Sequence, residues 1–252
     1  KPGSAETQHL RSELPFFLTY TANWIHIDSP NFDILWSLSV EEQFYLIWPA
    51  LEKLIPPKLL AVLYSIAVGF NQLVNFGVLD SALQKLLGTT QLSVLDSTFT
   101  PILLGVGLAH AMHRPRSFAL VRRLFAHPLS VWFALIIFVV VLVLSPADLS
   151  GLPRLMIHLA MLGVLASVIL HPTSLLRVLL ENPLIARMGV VSYGMYLYHM
   201  WGMHIIAKVA EKTGIQHPYI VFFLAVFVTY IVAELRFRLL EQWLLALKAR
   251  YV

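Results

Sequence analysis

The sequence predicts an all-α protein, a polytopic bundle of about eight transmembrane helices. Of its 252 residues, 58% are hydrophobic and 13% are charged, whereas soluble domains average roughly 45–50% and about 25%. The mean hydropathy of +0.73 agrees with this comparison. Such a composition excludes a disordered chain and argues against an ordinary soluble domain. The absence of cysteine excludes disulfides, thiolate metal sites and a cysteine nucleophile.

A helix needs about 20 apolar residues to cross the hydrocarbon core of a bilayer. Six stretches free of Asp, Glu, Lys and Arg are 17 to 24 residues long. Two weaker candidates precede them, of which one is short and the other carries glutamates. We see no domain boundary and treat 1–252 as a single domain. The predicted spans are approximately 14–27, 35–54, 59–79, 97–112, 128–146, 155–173, 189–208 and 215–235.

The basic residues test this model, because the loops of eight crossing helices alternate between the two sides. Fourteen of the 18 basic residues then fall on one side, and Lys85, Arg154, Lys208 and Lys212 fall on the other. The positive-inside rule places the first side, with both ends of the chain, in the cytoplasm. The net charge of +4 therefore reports membrane topology rather than binding to nucleic acid. We expect a multi-pass protein of the cell membrane, such as a bacterial inner membrane.

Two adjacent carboxylates, Glu41 and Glu42, lie inside the span that contains Trp36–Pro49. An ionisable residue within a span costs about 2.5–3.5 kcal/mol on insertion scales and is a functional hypothesis by default. Helical spacing places Glu41 on one face with Ser37 and Tyr45. A buried carboxylate there can accept a proton or orient a basic partner. The alternative is a structural carboxylate that pairs with an arginine of another helix.

A second polar face lies in a later span, where Ser192, Tyr196 and His199 follow i, i+4, i+7 spacing. His199 can titrate or donate to a carboxylate such as Glu41. The alternative is a neutral histidine whose ring is satisfied by a backbone carbonyl or a tyrosine hydroxyl. Without an evident carboxylate ligand, the His110 and His113 pair does not predict a metal site.

Trp36–Pro49, WSLSVEEQFYLIWP, closely resembles the signature of the membrane acyltransferase-3 family. SYGMYLYH at Ser192–His199 resembles the later motif of the same family, and TYTANW at Thr19–Trp24 resembles the segment before the first motif. Glu241 matches the glutamate that closes the last span of the family. All four agree in order and spacing, so the resemblance covers nearly the whole chain.

The resemblance implies a transferase that moves an acyl group, usually acetyl, from a cytoplasmic CoA thioester to a hydroxyl of a carbohydrate or lipid-linked glycan. It implies acyl-CoA as a donor substrate and no permanently bound cofactor. Glu41 then carries the chemistry and His199 supports it. The implied substrate-binding residues are Trp36, Ser39, Glu42, Gln43, Tyr45, Asn23, Ser192 and Tyr196. One loop carries four arginines, Arg114, Arg116, Arg122 and Arg123. They have two interpretations: they bind a CoA phosphate, or they only mark the cytoplasmic side of the membrane.

The chain departs from the family pattern in three places. Met200 follows His199 and Trp243 lies two residues after Glu241, where the family usually has proline soon after its histidine and two residues after its glutamate. The family also has about ten spans, with a presumed catalytic histidine in the first, and no such span precedes Leu14. We therefore expect the chain to be the C-terminal portion of a longer enzyme and to be inactive alone.

Two other function classes fit the polar residues. A transporter could use Glu41 and His199 as a proton relay, although transporters commonly show internal repeats and no second copy of the Glu41 helix appears. A non-catalytic membrane partner that has lost its base is the other alternative.

Overall fold

A computed structural model describes residues 5–24, 32, 34–79, 84–86, 99–146, 149–171, 175–215 and 217–248. Throughout these ranges the regular structure is helical. The chain divides into two compact units, Lys1–Leu176 and Arg177–Val252. The first unit contains α1 (Ala5–Leu18), a 3₁₀ helix (Ala22–Trp24), α2 (Leu35–Leu54), α3 (Pro57–Asn75), α4 (Thr100–His113), α5 (Pro115–Phe125), α6 (Ser130–Leu144), α7 (Leu152–Leu170) and the first residues of α8 (Leu175–Leu180). The second contains the rest of α8, α9 (Pro183–Val190), α10 (Ser192–Thr213), α11 (Pro218–Arg236), a π-helical turn (Phe237–Glu241) and α12 (Gln242–Lys248).

Three helical segments among the described residues are long and apolar enough to cross a membrane. They are Pro57–Asn75, Leu152–Leu170 and Pro218–Leu247. The pair Pro115–Phe125 and Ser130–Leu144, which meet at 76°, makes a fourth if the two helices form one broken span. The all-helical class is therefore confirmed, whereas the total of about eight spans stays a prediction.

Proline sets the start of many of these helices. A proline at the first or second position opens α3, α4, α5, α7, α9 and α11. Its fixed φ suits a helix, and the N–H that it lacks has no partner in a first turn. At the other end, α10 stops at Gly214, whose φ of +73° is the left-handed conformation that favours glycine.

Polar side chains at the end of α3 fasten it to the starts of α4 and α7. The Asn75 side chain donates to the Gly151 carbonyl at 2.9 Å, and the Gly151 N–H reaches both the carbonyl and the side-chain oxygen of Asn75 at 2.9 and 3.1 Å. The Asn71 side-chain oxygen accepts the Phe99 N–H at 2.7 Å, and the Gln72 amide donates to the Thr100 hydroxyl at 2.9 Å. These bonds hold three helix ends together at one end of the first unit.

At the C-terminal end of α2 the contacts are aromatic and charged. Trp48 packs with Leu60 and Leu103 in a buried cluster. Its indole N–H donates to Glu52 at 2.7 Å, and the same carboxylate oxygen lies 3.1 Å from His110 Nε2. The C-terminal parts of α2 and α4 therefore lie together, as antiparallel crossing through the intervening α3 requires.

In the second unit, α10 and α11 pack through small residues. Gly194 and Gly202 of α10 face Ala225, Thr229 and Ala233 of α11, all of which are buried. A Cβ added at Gly194 would lie 3.1 Å from the Ala233 methyl, so the backbones approach closely. Small residues at such intervals are typical of helix pairs that pack inside membranes.

Apolar side chains also cover much of the outer surface. Val143 and Leu144 of α6 are 74% and 77% exposed, and Phe223 of α11 is 66% exposed. An apolar surface this extensive is unfavourable in water and suits contact with lipid chains. The helix α5 differs, because its exposed Leu120 and Leu124 share one short helix with three arginines.

The region predicted as the first span, 14–27, is not a single helix. The helix α1 ends at Leu18, and Tyr20 adopts a left-handed φ of +53°. The Thr21 N–H then bonds the Phe16 carbonyl at 2.9 Å, which is the 6→1 bond of a Schellman cap. Residues 25–27 lie outside the described part. The helix end arises from local backbone bonding that an apolar run does not reveal.

Candidate active site

The helix α2 spans Leu35–Leu54, which are the predicted boundaries of the second span. It runs through Pro49 and carries the motif glutamates near its middle. Four residues of its first two turns line a cavity, and they are Trp36, Ser37, Val40 and Glu41. Helical i, i+4 spacing brings Ser37 and Glu41 to the same wall, as the sequence predicts.

The cavity has a volume of ≈ 400 Å³ and lies where α2, α4 and α7 begin. Pro101 and Ile102 form the apolar wall from α4. Arg154 and His158, also four residues apart, form the polar wall from α7. A space of this size suits a small ligand, since ligand pockets measure about 300–1,000 Å³.

Glu41 is half-buried in this cavity. Among the residues that the structure describes, its carboxylate has no hydrogen-bond or ion-pair partner. A partly buried carboxylate without a partner in the described chain can accept a hydrogen bond from a ligand in the cavity. Glu42 is also half-buried but does not line the cavity.

The polar neighbours of the glutamates fix the segment before α2. The Ser39 hydroxyl donates to the Leu35 carbonyl at 2.9 Å and accepts the Ala22 N–H at 3.2 Å. The Gln43 amide donates to the Tyr20 carbonyl at 2.6 Å and exchanges bonds with the Asn23 side chain at 2.9 and 3.4 Å. The motif residues Asn23 and Gln43 thus contact each other, and together with Ser39 they dock the 3₁₀ helix on α2.

The exposed Tyr45 lies one turn beyond Glu41, with 58% of its surface accessible. Trp36 is 40% exposed and is the aromatic ring that lines the cavity. Of the aromatic residues in the predicted site, Trp36 is therefore the one placed to contact a ligand beside Glu41.

In the second unit, α10 carries the other predicted polar face. The His199 ring nitrogen Nδ1 lies 2.6 Å from the Tyr196 carbonyl, and the two rings are 5.8 Å apart. Because a carbonyl oxygen only accepts, Nδ1 carries the proton and Nε2 of a neutral ring remains an acceptor. This is the backbone contact that the alternative interpretation of His199 predicts. Ser192, at the first turn, is exposed.

The closing glutamate of the motif pattern lies at the end of the π-helical turn. Glu241 accepts from the Arg236 guanidinium at 2.8 Å, and Arg236 also lies over the Tyr193 ring at 5.2 Å. Glu241 thereby ties the end of α11 to the start of the motif helix α10.

The four arginines proposed for CoA lie on or beside α5 and are all exposed. Arg114 precedes the helix, Arg116 lies in its first turn, and Arg122 and Arg123 lie in its last. They belong to a different end of the first unit from the Glu41 cavity, because α5 follows the C-terminal end of α4.

Arg154 and His158 were missed as site residues by sequence reasoning. The distribution of basic residues places Arg154 on the side of the membrane that holds fewer of them, and the Trp36 helix begins on that same side. A histidine four residues after an arginine inside a predicted span was the available signal. The structure brings both to the cavity of Glu41.

Comparison with known proteins gives an independent assignment. The acyltransferase-3 family model, described as an acyltransferase domain, matches residues 4–234. The chain is 30% identical over 262 aligned residues to the peptidoglycan O-acetyltransferase OatA of Listeria monocytogenes serovar 1/2a. That alignment covers 93% of this chain and 40% of the relative, so the chain spans about two-fifths of the length of the relative that it matches. No solved structure matches the chain. With most of its length matched by the family model, the chain belongs to the acyltransferase-3 family.

Proposed function

We propose that this chain is the membrane part of an O-acyltransferase that moves an acyl group, acetyl in the first instance, to a hydroxyl of a cell-envelope carbohydrate. The family assignment supports acyl transfer. The name of the relative, a peptidoglycan O-acetyltransferase, supports acetyl as the group and a wall glycan as the acceptor. The observation that carries the proposal is the unpartnered Glu41 carboxylate beside the Trp36 ring in one cavity.

Acyl transfer to a hydroxyl requires removal of one proton. The acceptor oxygen bonds to the acyl carbonyl carbon, the bond from that carbon to the donor breaks, and the hydroxyl proton passes to a base. With a thioester donor the departing thiolate then takes up a proton. Glu41 serves as the carboxylate that receives this proton or that orients a histidine which does.

Around Glu41 the other motif residues take positioning roles. Trp36 presents a flat apolar ring with a polar edge, which suits the face of a sugar. Ser39, Gln43 and Asn23 hold the 3₁₀ helix on α2, and so set the shape of the site. Glu42 and Tyr45 remain proposed substrate contacts, and Ser192, Tyr196 and His199 remain proposed site residues on α10.

We propose acyl-CoA as the donor, delivered from the cytoplasmic side. The exposed arginines around α5 offer guanidinium groups to the CoA phosphates. Transfer of label from radioactive acetyl-CoA to the glycan tests this donor. Label transfer that requires a different acyl carrier, with none from acetyl-CoA, would contradict it.

The proposed topology is eight spans in a single membrane domain, with both chain ends in the cytoplasm of a bacterial cell. In this topology α2, α4 and α7 all begin on the same side of the membrane. The cavity that lies where these three helices begin supports the proposal. The cysteine-free sequence makes the test simple. Single cysteines at Lys212 and Arg116 should react with an impermeant thiol reagent from outside and from inside, respectively. The opposite labelling pattern would reverse the topology.

The function is tested by acetyl transfer in membranes that contain the full-length protein. Glu41→Gln should reduce turnover by roughly a hundredfold or more, as loss of a general base typically does. Glu52→Gln is the matched control on the same helix. Its amide oxygen can still accept from Trp48, and we expect turnover near that of the wild type. Normal turnover by correctly inserted Glu41→Gln protein would overturn the proposal.

A further inference from the structure

We propose that Arg154 binds a carboxylate of the acceptor glycan, so that the Glu41 cavity selects acidic sugars for acyl transfer. This inference rests on the proposed function and names the class of its substrate. It starts from the wall of the cavity that sequence reasoning missed, where Arg154 and His158 face the same space as Glu41.

A backbone carbonyl holds the Arg154 guanidinium at the cavity wall. Its Nε–H donates to the Leu149 carbonyl at 2.9 Å, and Leu149 itself lines the cavity. This bond uses one edge of the guanidinium and fixes its plane at the wall. The remaining N–H groups form a fork of the kind that binds a carboxylate through two parallel bonds.

Glu41 is the carboxylate of the chain that shares the cavity with Arg154. Arg154 and Glu41 line the same cavity, yet these two described residues form no ion pair with each other. An internal counter-ion pair would account for both residues without any ligand. Its absence leaves one carboxylate and one guanidinium, both partly buried, on walls formed by different helices, and each suits a different group of a ligand.

Three helix N-termini contribute to the electrostatic field around Arg154. The helices α2, α4 and α7 all begin at this cavity. Helix N-termini carry partial positive charge, and the three add to the charge of the guanidinium. The Glu41 carboxylate compensates part of this field from α2, and a carboxylate of the ligand compensates the part beside Arg154, which a neutral sugar does not.

These features give a two-point mode of binding. The carboxylate of the sugar binds Arg154 of α7, and the acceptor hydroxyl binds Glu41 of α2. Trp36 and Ile102 supply apolar surface for the ring between them. His158, one turn beyond Arg154, is placed to donate or accept a further bond to the carboxylate or to the substituent that bears it.

The experiment compares two acceptors that differ only in charge. One is a glycan fragment with free carboxylates, and the other is the same fragment with its carboxylates converted to amides. Acetyl transfer to both is measured with full-length wild-type protein, Arg154→Gln and Arg154→Lys, in membranes. Lys212→Gln is the control, since Lys212 is an exposed cation assigned to the same side.

For the wild type, we expect amidation of the acceptor to raise KM about ten- to a hundredfold, the range of a hydrogen-bonded charge pair. Arg154→Gln should lose the same factor on the acidic acceptor and show no preference between the two. Arg154→Lys should recover part of the preference, and Lys212→Gln should keep all of it.

Three results would overturn the inference. One is an equal loss on both acceptors in Arg154→Gln, which indicates a structural role. Another is an unchanged preference in that variant. A third is Arg154-dependent transfer to a lipid-linked acceptor whose sugar is neutral, because the lipid phosphate is then the anion.

Failure of the proposed function gives a different result, since wild-type protein then transfers acetyl to neither acceptor. Direct binding of the two fragments decides the inference in that case. Preference for the acidic fragment that disappears in Arg154→Gln supports it, and equal binding overturns it.

Discussion

The Arg187 guanidinium holds the Glu234 carboxylate through two parallel hydrogen bonds, Nε to Oε2 at 2.9 Å and Nη2 to Oε1 at 2.8 Å. The pair joins α9 to α11, and Arg238 adds a third bond to the same carboxylate at 2.6 Å. The hydrogen bond to Glu234 raises the pKa of Arg187 above its usual range, so the guanidinium stays charged. Arg187 also lies over the Phe237 ring at 4.6 Å.

Arg187→Lys tests the geometry of this pair, because lysine keeps the charge but cannot bind with two parallel bonds or stack in the same way. We expect a lower melting temperature of the protein in detergent, with Arg187→Gln lower still. Circular dichroism during heating measures both. Arg116→Lys, on an exposed helix, serves as the control, and equal melting of Arg187→Lys and wild type would contradict the prediction.

Gly107→Ala should destabilise the first unit. A Cβ at Gly107 would overlap the Tyr64 hydroxyl, which donates to the Leu103 carbonyl at 3.0 Å. The tyrosine must then move and lose that bond, at a cost of about 1–3 kcal/mol. Gly105→Ala is the matched control in the same helix, since nothing lies within 4 Å of its added Cβ. Denaturation of the two variants side by side should separate them, and equal stability would refute the steric argument.

Gly202→Ala should destabilise the α10–α11 pair for a similar reason. The added methyl would overlap the Thr229 hydroxyl and lie 3.2 Å from the Ala225 carbonyl. Thr229→Ala removes the hydroxyl, so the double variant should recover part of the loss. A double-mutant cycle on unfolding free energies measures this coupling. Strictly additive effects would show that the two residues do not meet.

Asn75→Ala should weaken the junction of α3 with α7. The side chain is 6% exposed and bonds Gly151 through both its nitrogen and its oxygen. Its removal breaks two side-chain hydrogen bonds to Gly151, each of which contributes about 0.5–1.5 kcal/mol. Hydrogen exchange at the Gly151 amide should accelerate relative to that of the wild type. Ser65→Ala, which removes an exposed bond within α3, should leave it unchanged.

Gln43→Leu should release the 3₁₀ helix from α2, because the side chain bonds both Tyr20 and Asn23. Asn23 is fully buried, and loss of its amide partner is unfavourable. We expect lower acetyl transfer with faster proteolysis near Trp24. Gln72→Leu, at the far end of α3, should leave cleavage near Trp24 at the wild-type rate. A loss of transfer without any change in proteolysis would instead indicate that Gln43 contacts the substrate.

Periodic features of the sequence predicted much of this architecture. The boundaries of α2 follow from the extent of an apolar stretch. The shared face of Ser37 and Glu41 follows from helical spacing, because every residue of a helix turns by the same angle. Specific motifs predicted the family, which the family match confirms. The end of α1 was not predictable in this way, since it depends on one left-handed residue, Tyr20, in an apolar run.

Contacts between distant segments also lay beyond sequence reasoning. Nothing local in the chain brings Arg154 to the cavity of Glu41, because their helices are separated by more than 90 residues of sequence. The hydrogen bonds of Ser39 and Gln43 to Ala22 and Asn23 were not predictable for the same reason, since these partners lie in another element. His110 acquired a carboxylate neighbour in Glu52 by packing alone.

The bend between α5 and α6 has a consequence for the depth of the protein in its membrane. The two helices meet at 76°, so α5 lies across the direction of α6. Leucines and arginines side by side on so short a helix prefer different layers, hydrocarbon and headgroup, only a few ångströms apart. Raising or lowering the bundle by one helical turn would force one of the two sets into the wrong layer. We therefore expect α5 to fix the depth of the first unit in the bilayer, and a bilayer of unsuitable thickness to be accommodated by tilting of α6 and α7.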